Sequence, residues 1–350
     1  MVHIGIDMHK RFSEVAALDD VGKVISRQKL YHDDRTSLVE YFRNAGSDAI
    51  ATLEASRSWY WLSDLIQDTG IELKLAHPKK VRLIAEATIK TDKIDAWTLA
   101  QLERTGFLPE AYIPPHEVRD RRELLRYRMA LVHARTEFKD RIHALVDKLG
   151  IQHGFSDLFG AAGWEFLERL ELRPVYRDAL DAYLRTIEFL EQEIGRATAK
   201  IKELLKPDPR AERLMSIPGI GLLTAHLLLS EIGEIGRFAS AKKLCAYAGI
   251  VPRVSQSAEH CWQGTITKAG NRYIRWGVVE AAVKAPSKDQ TLYCIYERIA
   301  RRRGPKKARV AVARKILVAV FHVLTCNESY RPGRLTELSL GKPERDTGPK

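Results

Sequence analysis

The sequence predicts an α+β domain at the N-terminus, a long helical arm in the middle and a mainly α C-terminal domain. Short apolar stretches with alternating character recur over residues 1–112, whereas residues 116–206 are charged, apolar and mostly free of Gly and Pro. Alternation with a period of two indicates strands, and apolar spacings of three, four and seven indicate amphipathic helices. The change of pattern therefore predicts the change of architecture.

The first predicted strand is "HIGIDMHK", residues 3–10. Alternate side chains of a strand share a face, so Ile4 and Ile6 are expected to enter a core while Gly5 and Asp7 point the opposite way. Gly5 carries no side chain and is expected to leave space in front of the Asp7 carboxylate. Because Asp is common where strands end, this carboxylate needs partners before it indicates a site.

The elements that follow suggest a particular sheet. Val21-Gly22 is a plausible hairpin turn, Asp34 is expected to cap a helix, and Pro78 begins a long helical stretch that includes residues 90–102. Antiparallel-type strands followed by strands joined by helices are the order expected of a ribonuclease-H-like fold. The further strands are predicted at residues 12–20, 23–31, 48–54 and 71–77.

Three more carboxylates are candidates to join Asp7. Glu54 also ends a predicted strand, and Asp92 and Asp95 lie three residues apart, which places them on one face of a helix. Carboxylates that converge in this way suit Mg²⁺, which prefers carboxylate and phosphate oxygens. Two such ions can clamp the attacking and leaving oxygens of a phosphodiester. For any single acid, an ordinary solvated surface residue is the alternative interpretation.

Composition limits the class of partner. The chain has 350 residues, 45% of them hydrophobic, and a formal net charge of +12. This length allows two or three domains with real cores, and the charge favours a polyanion, nucleic acid before a membrane surface. The sequence has no run of about 18 apolar residues. Its four cysteines lack zinc or disulfide spacing, which indicates reduced thiols in a cytoplasmic protein.

The middle of the chain predicts an antiparallel helical hairpin that acts as a coiled-coil arm. Two long amphipathic stretches are joined by a link at residues 150–166 that contains Gly and Phe. A plain helical bundle is the alternative. The second stretch carries an apolar stripe at helical spacing, formed by Leu180, Leu184, Ile187, Leu190, Ile194 and Ile201.

The stretch "LMSIPGIGLLTAHLLL", residues 214–229, predicts a helix-hairpin-helix after a linker marked by Pro207 and Pro209. Gly219 and Gly221 would let backbone N–H groups approach a DNA phosphate at the start of the second helix. The alternative is a structural turn that only packs. The basic context of the chain favours nucleic acid.

The remaining segments are basic and punctuated by glycine. A short helix is expected to end at Gly249, and a polar loop with Ser255 and Ser257 follows, where a hydroxyl could meet a phosphodiester. Residues 298–315 carry nine basic residues and no acid, which indicates phosphate binding rather than a solvated helix face. A core helix is predicted at 315–324 and a disordered tail at 341–350.

Several blocks together resemble one family. "GIDMHK", "TLEAS" and "KTDKIDAWTLA" are similar to its RuvC-like N-terminal domain, and "IPGIGLLTA", "FASAKKLCAYAGIVP" and "GTITKAGNRYIRWGVVEAA" are similar to its C-terminal transposase domain. The chain thus resembles, over nearly its whole length, the Piv-type DEDD transposases of the IS110 insertion-sequence family, which are bridge-RNA-guided recombinases. The resemblance implies domains at 1–112, 116–206 and 208–340.

The resemblance also implies residue roles. Asp7, Glu54, Asp92 and Asp95 match the tetrad that binds Mg²⁺, and Ser257 matches the position of the catalytic serine, with Ser255 as a close competitor. Attack by this hydroxyl on donor or target DNA would leave a covalent phosphoserine link. A bacterial protein that acts at the nucleoid, with a structured bridge RNA and as a homo-oligomer (dimer or tetramer), is expected. The residues expected to bind nucleic acid are Gly219, Gly221, Lys268, Asn271, Arg272, Arg301, Arg302, Arg303, Lys306 and Lys307.

Two other classes of function are compatible with parts of the pattern. A RuvC-like structure-specific nuclease would use the tetrad and water and would need no serine. A non-catalytic DNA-binding regulator would keep the hairpin and the basic face but would show no metal-dependent chemistry. The complete tetrad favours an enzyme over the regulator.

Overall fold

The computed structural model describes the backbone of residues 1–56, 58–84, 92–205, 207–257 and 260–332, and the side chains of these residues except Lys93 and 254–263. The described chain divides into two compact units, Met1–Pro114 and Pro115–Lys350. The first is a mixed α/β unit, and the second is mainly helical.

A six-stranded sheet organises the first unit, with its strands in the order β3-β2-β1-β4-β5-β6. The central strands β1, β4 and β5 are parallel, and the outer pairs are antiparallel. The strands are β1 (Val2–Met8), β2 (Phe12–Leu18), β3 (Val24–Tyr31), β4 (Ala49–Glu54), β5 (Glu72–Ala76) and β6 (Glu110–Ala111). The predicted hairpin at Val21-Gly22 is confirmed, since β2 pairs with β3 around it.

Helices cover both faces of this sheet. The helices are α1 (Arg35–Asn44), α2 (Trp59–Asp68), α3 (Pro78–Ile84) and α4 (Asp92–Arg104). Ile4 and Ile6 are buried in the same core as Phe42 of α1 and Leu62 of α2, whereas α4 lies on the other face against β1 and β2. The predicted cap is confirmed, because the Ser37 N–H donates to Asp34 Oδ1 at 3.0 Å. Of the predicted helical stretch from Pro78, residues 85–91 lie outside the described part of the chain.

The second unit begins with an antiparallel helical hairpin, as predicted. Its long helices are α5 (His116–Lys148) and α7 (Pro174–Leu204), with the short helix α6 (Ala161–Arg169) in the connection. Arg128 Nε donates to Thr198 Oγ1 at 2.7 Å, and Arg135 lies 3.6 Å from Glu191. From the first contact to the second, the residue number increases along α5 and decreases along α7, so the two helices are antiparallel. All six residues of the predicted apolar stripe are buried.

The rest of this unit is a helical cluster with one small β-hairpin. Its elements are α8 (Pro209–Met215), α9 (Leu222–Ile232), α10 (Ala241–Tyr247), β7 (Pro252–Ser257), β8 (His260–Ile266), α11 (Arg272–Lys284), α12 (Gln290–Arg303) and α13 (Pro305–Cys326). The predicted core helix at 315–324 is confirmed as part of α13, where Ile316, Leu317 and Val320 are buried. Among the described residues, no helix combines the length and apolarity that crossing a bilayer requires.

The expected polar loop around Ser255 and Ser257 is wrong as local structure. The backbone of β7 pairs antiparallel with β8, so both serines belong to a strand of a two-stranded sheet. Polar residues dominate the segment and conceal its alternation, which is why composition favoured a loop. The side chains of Ser255 and Ser257, and the tail at 341–350, lie outside the described part of the chain.

Candidate functional site

Close packing between β1 and α4 positions the predicted carboxylates. A Cβ on Gly5 would overlap the Ala96 carbonyl oxygen and stand 2.6 Å from the Ala100 amide nitrogen. The sequence analysis expected open space in front of Gly5, and this expectation is wrong. The backbone of α4 occupies that position. Only glycine allows this approach, which brings the first turn of α4, with Asp92 and Asp95, to the end of β1 where Asp7 lies.

The register of the parallel strands places Glu54 beside Asp7. Ile6 pairs with Leu53, so the next residues, Asp7 and Glu54, are neighbours at the carboxyl ends of β1 and β4. Paired residues of adjacent strands point to the same face of a sheet. Both carboxylates therefore lie on the face that α4 covers, and the strand ends and the helix bring the predicted tetrad to one edge of the sheet.

The side chains at this edge make a compact group of ligand atoms. His9 Nε2 lies 3.1 Å from Asp7 Oδ2 and 3.1 Å from Asp92 Oδ2. One ligand atom each from Asp7, His9 and Asp92 falls within 4.8 Å of the others. His9 lies in the segment "HIGIDMHK", and the sequence analysis gave it no role.

The electrostatics of this group fit a bound cation. Burial raises the pKa of Asp7, the nearby carboxylates of Asp95 and Asp92 raise it further, and His9 acts in the opposite direction. Carboxylates held this close repel one another unless a positive charge lies between them. The donor set fits a divalent metal ion, which would be bound by Asp7 and Asp92 together with the adjacent carboxylates.

The far end of α4 is also fixed to the sheet. Glu103 accepts a hydrogen bond from His3 Nδ1 and one from Lys74 Nζ at 3.0 Å. His3 and Glu103 are both buried. Because α4 is held at its C-terminal end and pressed against Gly5 in its middle, its first turn has a fixed position relative to β1.

In the second unit, a loop anchors the hairpin that carries the predicted serine. The Lys268 N–H donates to the Gly249 carbonyl at 3.1 Å, and the Asn271 N–H donates to the Tyr247 carbonyl at 2.7 Å. The segment "TKAGN" after β8 is thus fastened to the end of α10, just before β7. The two ends of the β7–β8 hairpin are held together by backbone bonds.

Behind this loop lies a buried carboxylate that the sequence analysis did not identify. Glu231 of α9 is fully buried, and Arg126 donates to its two oxygens at 2.6 and 2.7 Å. Asn271 Nδ2 donates to the same carboxylate at 2.7 Å, while Asn271 Oδ1 accepts from the first N–H groups of α11. The available signal was an acid in the apolar run "LLTAHLLLSEIG", which predicts a buried ion pair.

The residues predicted to bind nucleic acid fall into different environments. Gly219 has φ +86°, and a Cβ there would overlap the Ala281 carbonyl oxygen of α11, so this glycine serves packing. Gly221 precedes α9, and apart from its two chain neighbours no described residue places an atom within 4 Å of where its Cβ would stand. The side chain of Asn271 is engaged in capping, while Lys268 and Arg272 are exposed.

The basic segment, residues 298–315, forms the end of α12 and the first half of α13, with Gly304 between the two helices. Arg302, Arg303, Lys306 and Lys307 are exposed, and Arg301 is exposed beside Glu297 at 3.5 Å. Five cations thus flank one break between helices. They form an exposed surface of like charge that suits a polyanion.

Comparison with known proteins assigns both parts of the chain. A family model for DEDD transposases of the IS110 type matches residues 4–151, and one described as the transposase IS116/IS110/IS902 family matches residues 211–297. The chain is similar to the transposase for insertion sequence element IS1111A of Coxiella burnetii, with 25% identity over 94% of this chain and 91% of the relative. It is also similar to a probable family 20 transposase of Pseudomonas aeruginosa, with 24% identity over 94% of this chain and 98% of the relative.

A third relative, the transposase for insertion sequence element IS1328 of Yersinia enterocolitica, is 26% identical over 80% of this chain and 82% of its own length. The family models and the relatives agree on one class of enzyme, the transposases, which cleave and rejoin DNA. Within this class, the chain belongs to the IS110-type DEDD transposases of insertion sequences.

Proposed function

We propose that this transposase cuts and rejoins DNA strands through a covalent phosphoserine intermediate, with Mg²⁺ held by its tetrad and a bridge RNA as its guide. The observation that carries the proposal is the convergence of Asp7 and Asp92, with Glu54 and Asp95 beside them, at one edge of the sheet. The strand order and this edge support a RuvC-like, ribonuclease-H-like assignment for the first unit. Action in the bacterial cytoplasm, at the nucleoid, is part of the proposal.

The metal part of the proposal rests on the type of ligand. Asp7, Glu54, Asp92 and Asp95 supply oxygens, the donors that Mg²⁺ prefers together with phosphate oxygens of a substrate. When bound, Mg²⁺ would neutralise charge on the phosphodiester and favour loss of the serine proton. The protein contributes the fixed placement of the carboxylates through the contact of α4 with Gly5 and the bond of Glu103 to His3.

The covalent step is assigned to Ser257. Its hydroxyl oxygen attacks the phosphorus, the bond from phosphorus to the 3′ oxygen breaks, and the leaving oxygen takes up a proton as a 3′-hydroxyl. The serine is left esterified to the 5′-phosphate. Because the ester bond replaces the broken phosphodiester, the reverse attack by another 3′-hydroxyl reseals DNA without ATP. The anchored β7–β8 hairpin supports this role by holding the backbone of the serine strand in one place.

The partners follow from the surface charge and the family resemblance. Gly221, Lys268 and Arg272 are exposed near the turns of the second unit, and the basic segment adds Lys306 and Lys307. We assign these to phosphates of DNA or of the bridge RNA. A homo-oligomer, a dimer or tetramer, is included because the family resemblance implies that tetrad and serine can come from different protomers. The helical hairpin of α5 and α7 is proposed as its coiled-coil arm.

Trapping of a covalent adduct tests the proposed function. The protein, purified with its RNA and incubated with Mg²⁺ and DNA that carries the ends of the element, is expected to yield a protein–DNA species that survives denaturant. Peptide mapping should place the adduct on Ser257. Ser257→Ala should bind DNA without forming an adduct, because the nucleophile is gone, and Asp7→Ala should also bind without an adduct.

Ser255→Ala is the matched control, since it removes a hydroxyl from the same strand two residues away and should leave the adduct in place. An adduct that maps to Ser255 would move the nucleophile by two residues and keep the chemistry. Cleavage that persists in Ser257→Ala without any adduct would replace the serine mechanism by the water-using nuclease of the RuvC type. Absence of cleavage in every protein, with binding intact, would favour the regulator.

The basic segment gives a second measurable result. Replacing Arg301, Arg302 and Arg303 with Ala should weaken binding about equally for all DNA sequences and lower the salt slope by about one unit for each phosphate that these side chains neutralise. A control triple variant of exposed cations, Arg169→Ala/Arg196→Ala/Lys200→Ala, removes the same charge from α6 and α7. If the salt slope of binding falls equally in both variants, the effect comes from the net charge of the protein and not from contacts of Arg301, Arg302 and Arg303 with phosphates.

A further inference from the structure

An imidazole stands between two carboxylates of the tetrad. His9 Nε2 is 3.1 Å from Asp7 Oδ2 and 3.1 Å from Asp92 Oδ2. The backbone N–H of His9 donates to the Phe12 carbonyl at 2.9 Å, which fixes the turn, and the His9 ring packs 4.8 Å from the Phe12 ring. The turn between β1 and β2 therefore presents this nitrogen to the carboxylates.

Hydrogen bonding alone does not explain this arrangement well. Nε2 carries at most one hydrogen, which can point at only one of the two carboxylate oxygens. An ion shared by the three side chains satisfies all of them at once. Neighbouring ligands around an octahedral ion with bonds of about 2.1 Å are about 3.0 Å apart, which agrees with the two distances from His9.

We propose that His9 is a nitrogen ligand of a divalent ion in the tetrad, so that this transposase has a mixed oxygen–nitrogen site. The inference rests on the proposed metal site and adds to it a ligand from outside the four acids. Imidazole is a ligand for transition metals more than for Mg²⁺, and affinity for such sites rises from Mn²⁺ onwards along the first row. The site is thus expected to bind Mn²⁺ more tightly than Mg²⁺, with His9 as the cause of the preference.

The test is pulsed electron paramagnetic resonance of the full-length protein loaded with Mn²⁺ and no nucleic acid. A directly bound imidazole gives ¹⁴N modulation of the electron spin echo, and wild type should show it. His9→Ala and His9→Gln should lack it, and calorimetric titration should show that both lose about tenfold in Mn²⁺ affinity and little in Mg²⁺ affinity. His32→Ala is the matched control, because His32 is a nearby imidazole bonded to Ser13 Oγ at 2.8 Å, and it should keep the signal.

Two results would overturn the proposal, and they are distinguishable from failure of the metal site itself. Mn²⁺ binding that depends on Asp7 and Asp92 but shows no ¹⁴N modulation leaves the tetrad intact and removes His9. The same holds if modulation persists in His9→Ala. If wild type and Asp7→Ala bind Mn²⁺ equally weakly, the metal site and the role of His9 both fail.

Discussion

Gly5→Ala is expected to destabilise the first unit and to abolish strand cleavage. The added methyl overlaps the Ala96 carbonyl oxygen, and because its neighbours are backbone atoms, no side-chain rotation can make room. Overpacking of a core typically costs about 1–3 kcal/mol, and a clash with helix backbone belongs at or above the upper end. To accept the methyl, α4 must move away from β1 and take Asp92 and Asp95 with it.

The measurements are thermal unfolding and calorimetric titration with Mn²⁺. We expect a lower midpoint and a loss of about 10–100-fold in ion affinity, the range seen when the support of metal ligands is disturbed. Gly195→Ala is the matched control, since Gly195 lies within α7, and apart from the nearby backbone of its own helix no described residue places an atom within 4 Å of where its Cβ would stand. There Ala should be neutral or stabilising by up to about 1 kcal/mol. Wild-type stability and affinity in Gly5→Ala would show that α4 does not pack on β1 as described.

Glu231→Gln is expected to lower both the stability of the second unit and the yield of the proposed serine adduct. The variant removes the negative charge that Arg126 and Arg122 face, and loss of one partner from a buried ion pair costs about 3–5 kcal/mol. We expect the lower end of this range because Arg126 is 28% exposed and water can compensate part of its charge. The amide of Gln keeps one accepting oxygen and replaces the other by an NH₂ donor, which would face a donor nitrogen of Arg126 or Asn271.

Asn271 links this loss to chemistry. It caps α11 and ends the loop that fastens the β7–β8 hairpin, so a displaced Asn271 loosens the strand that carries Ser257. Adduct formation should therefore fall more than DNA binding does. Glu191→Gln, an exposed acid near Arg135 and Lys139, is the control and should change stability by less than about 0.5 kcal/mol. A fall in adduct and binding by the same factor would assign Glu231 a structural role only.

The parts of the fold that sequence predicted are those governed by local pattern. Local pattern predicted β1 to β5 but not β6 to β8. The apolar spacing of α7 predicted its buried stripe, and Asp34 was identifiable as a cap because capping needs only the next few residues. The carboxylates could be assigned to one edge because the ends of parallel strands meet there. The position of Asp7 relative to Glu54 depends only on the register of the neighbouring strands β1 and β4.

The parts that sequence did not predict depend on contacts between distant residues. Gly5 is required because Ala96, on a helix far along the chain, packs against it. Glu231 can be buried because Arg126, on another helix, pairs with it. His9 was visible as a titratable residue, but its position against Asp92 arises only when α4 packs on β1. A pattern read along one segment contains none of these pairings.

The alternation of β1 limits where residues or a peptide tag can be inserted in this protein. Insertion of one residue before Asp7 would rotate the carboxylate to the face of Ile4 and Ile6, so this strand tolerates changes of length only in even steps. The turn after β2 has no such rule. It lies beside the start of β1, since Leu18 pairs with His3, and Val21 is 82% exposed. A peptide tag placed after Val21 would extend into solvent from the edge of the sheet opposite to the carboxylates, where the number of added residues does not change the face of Asp7.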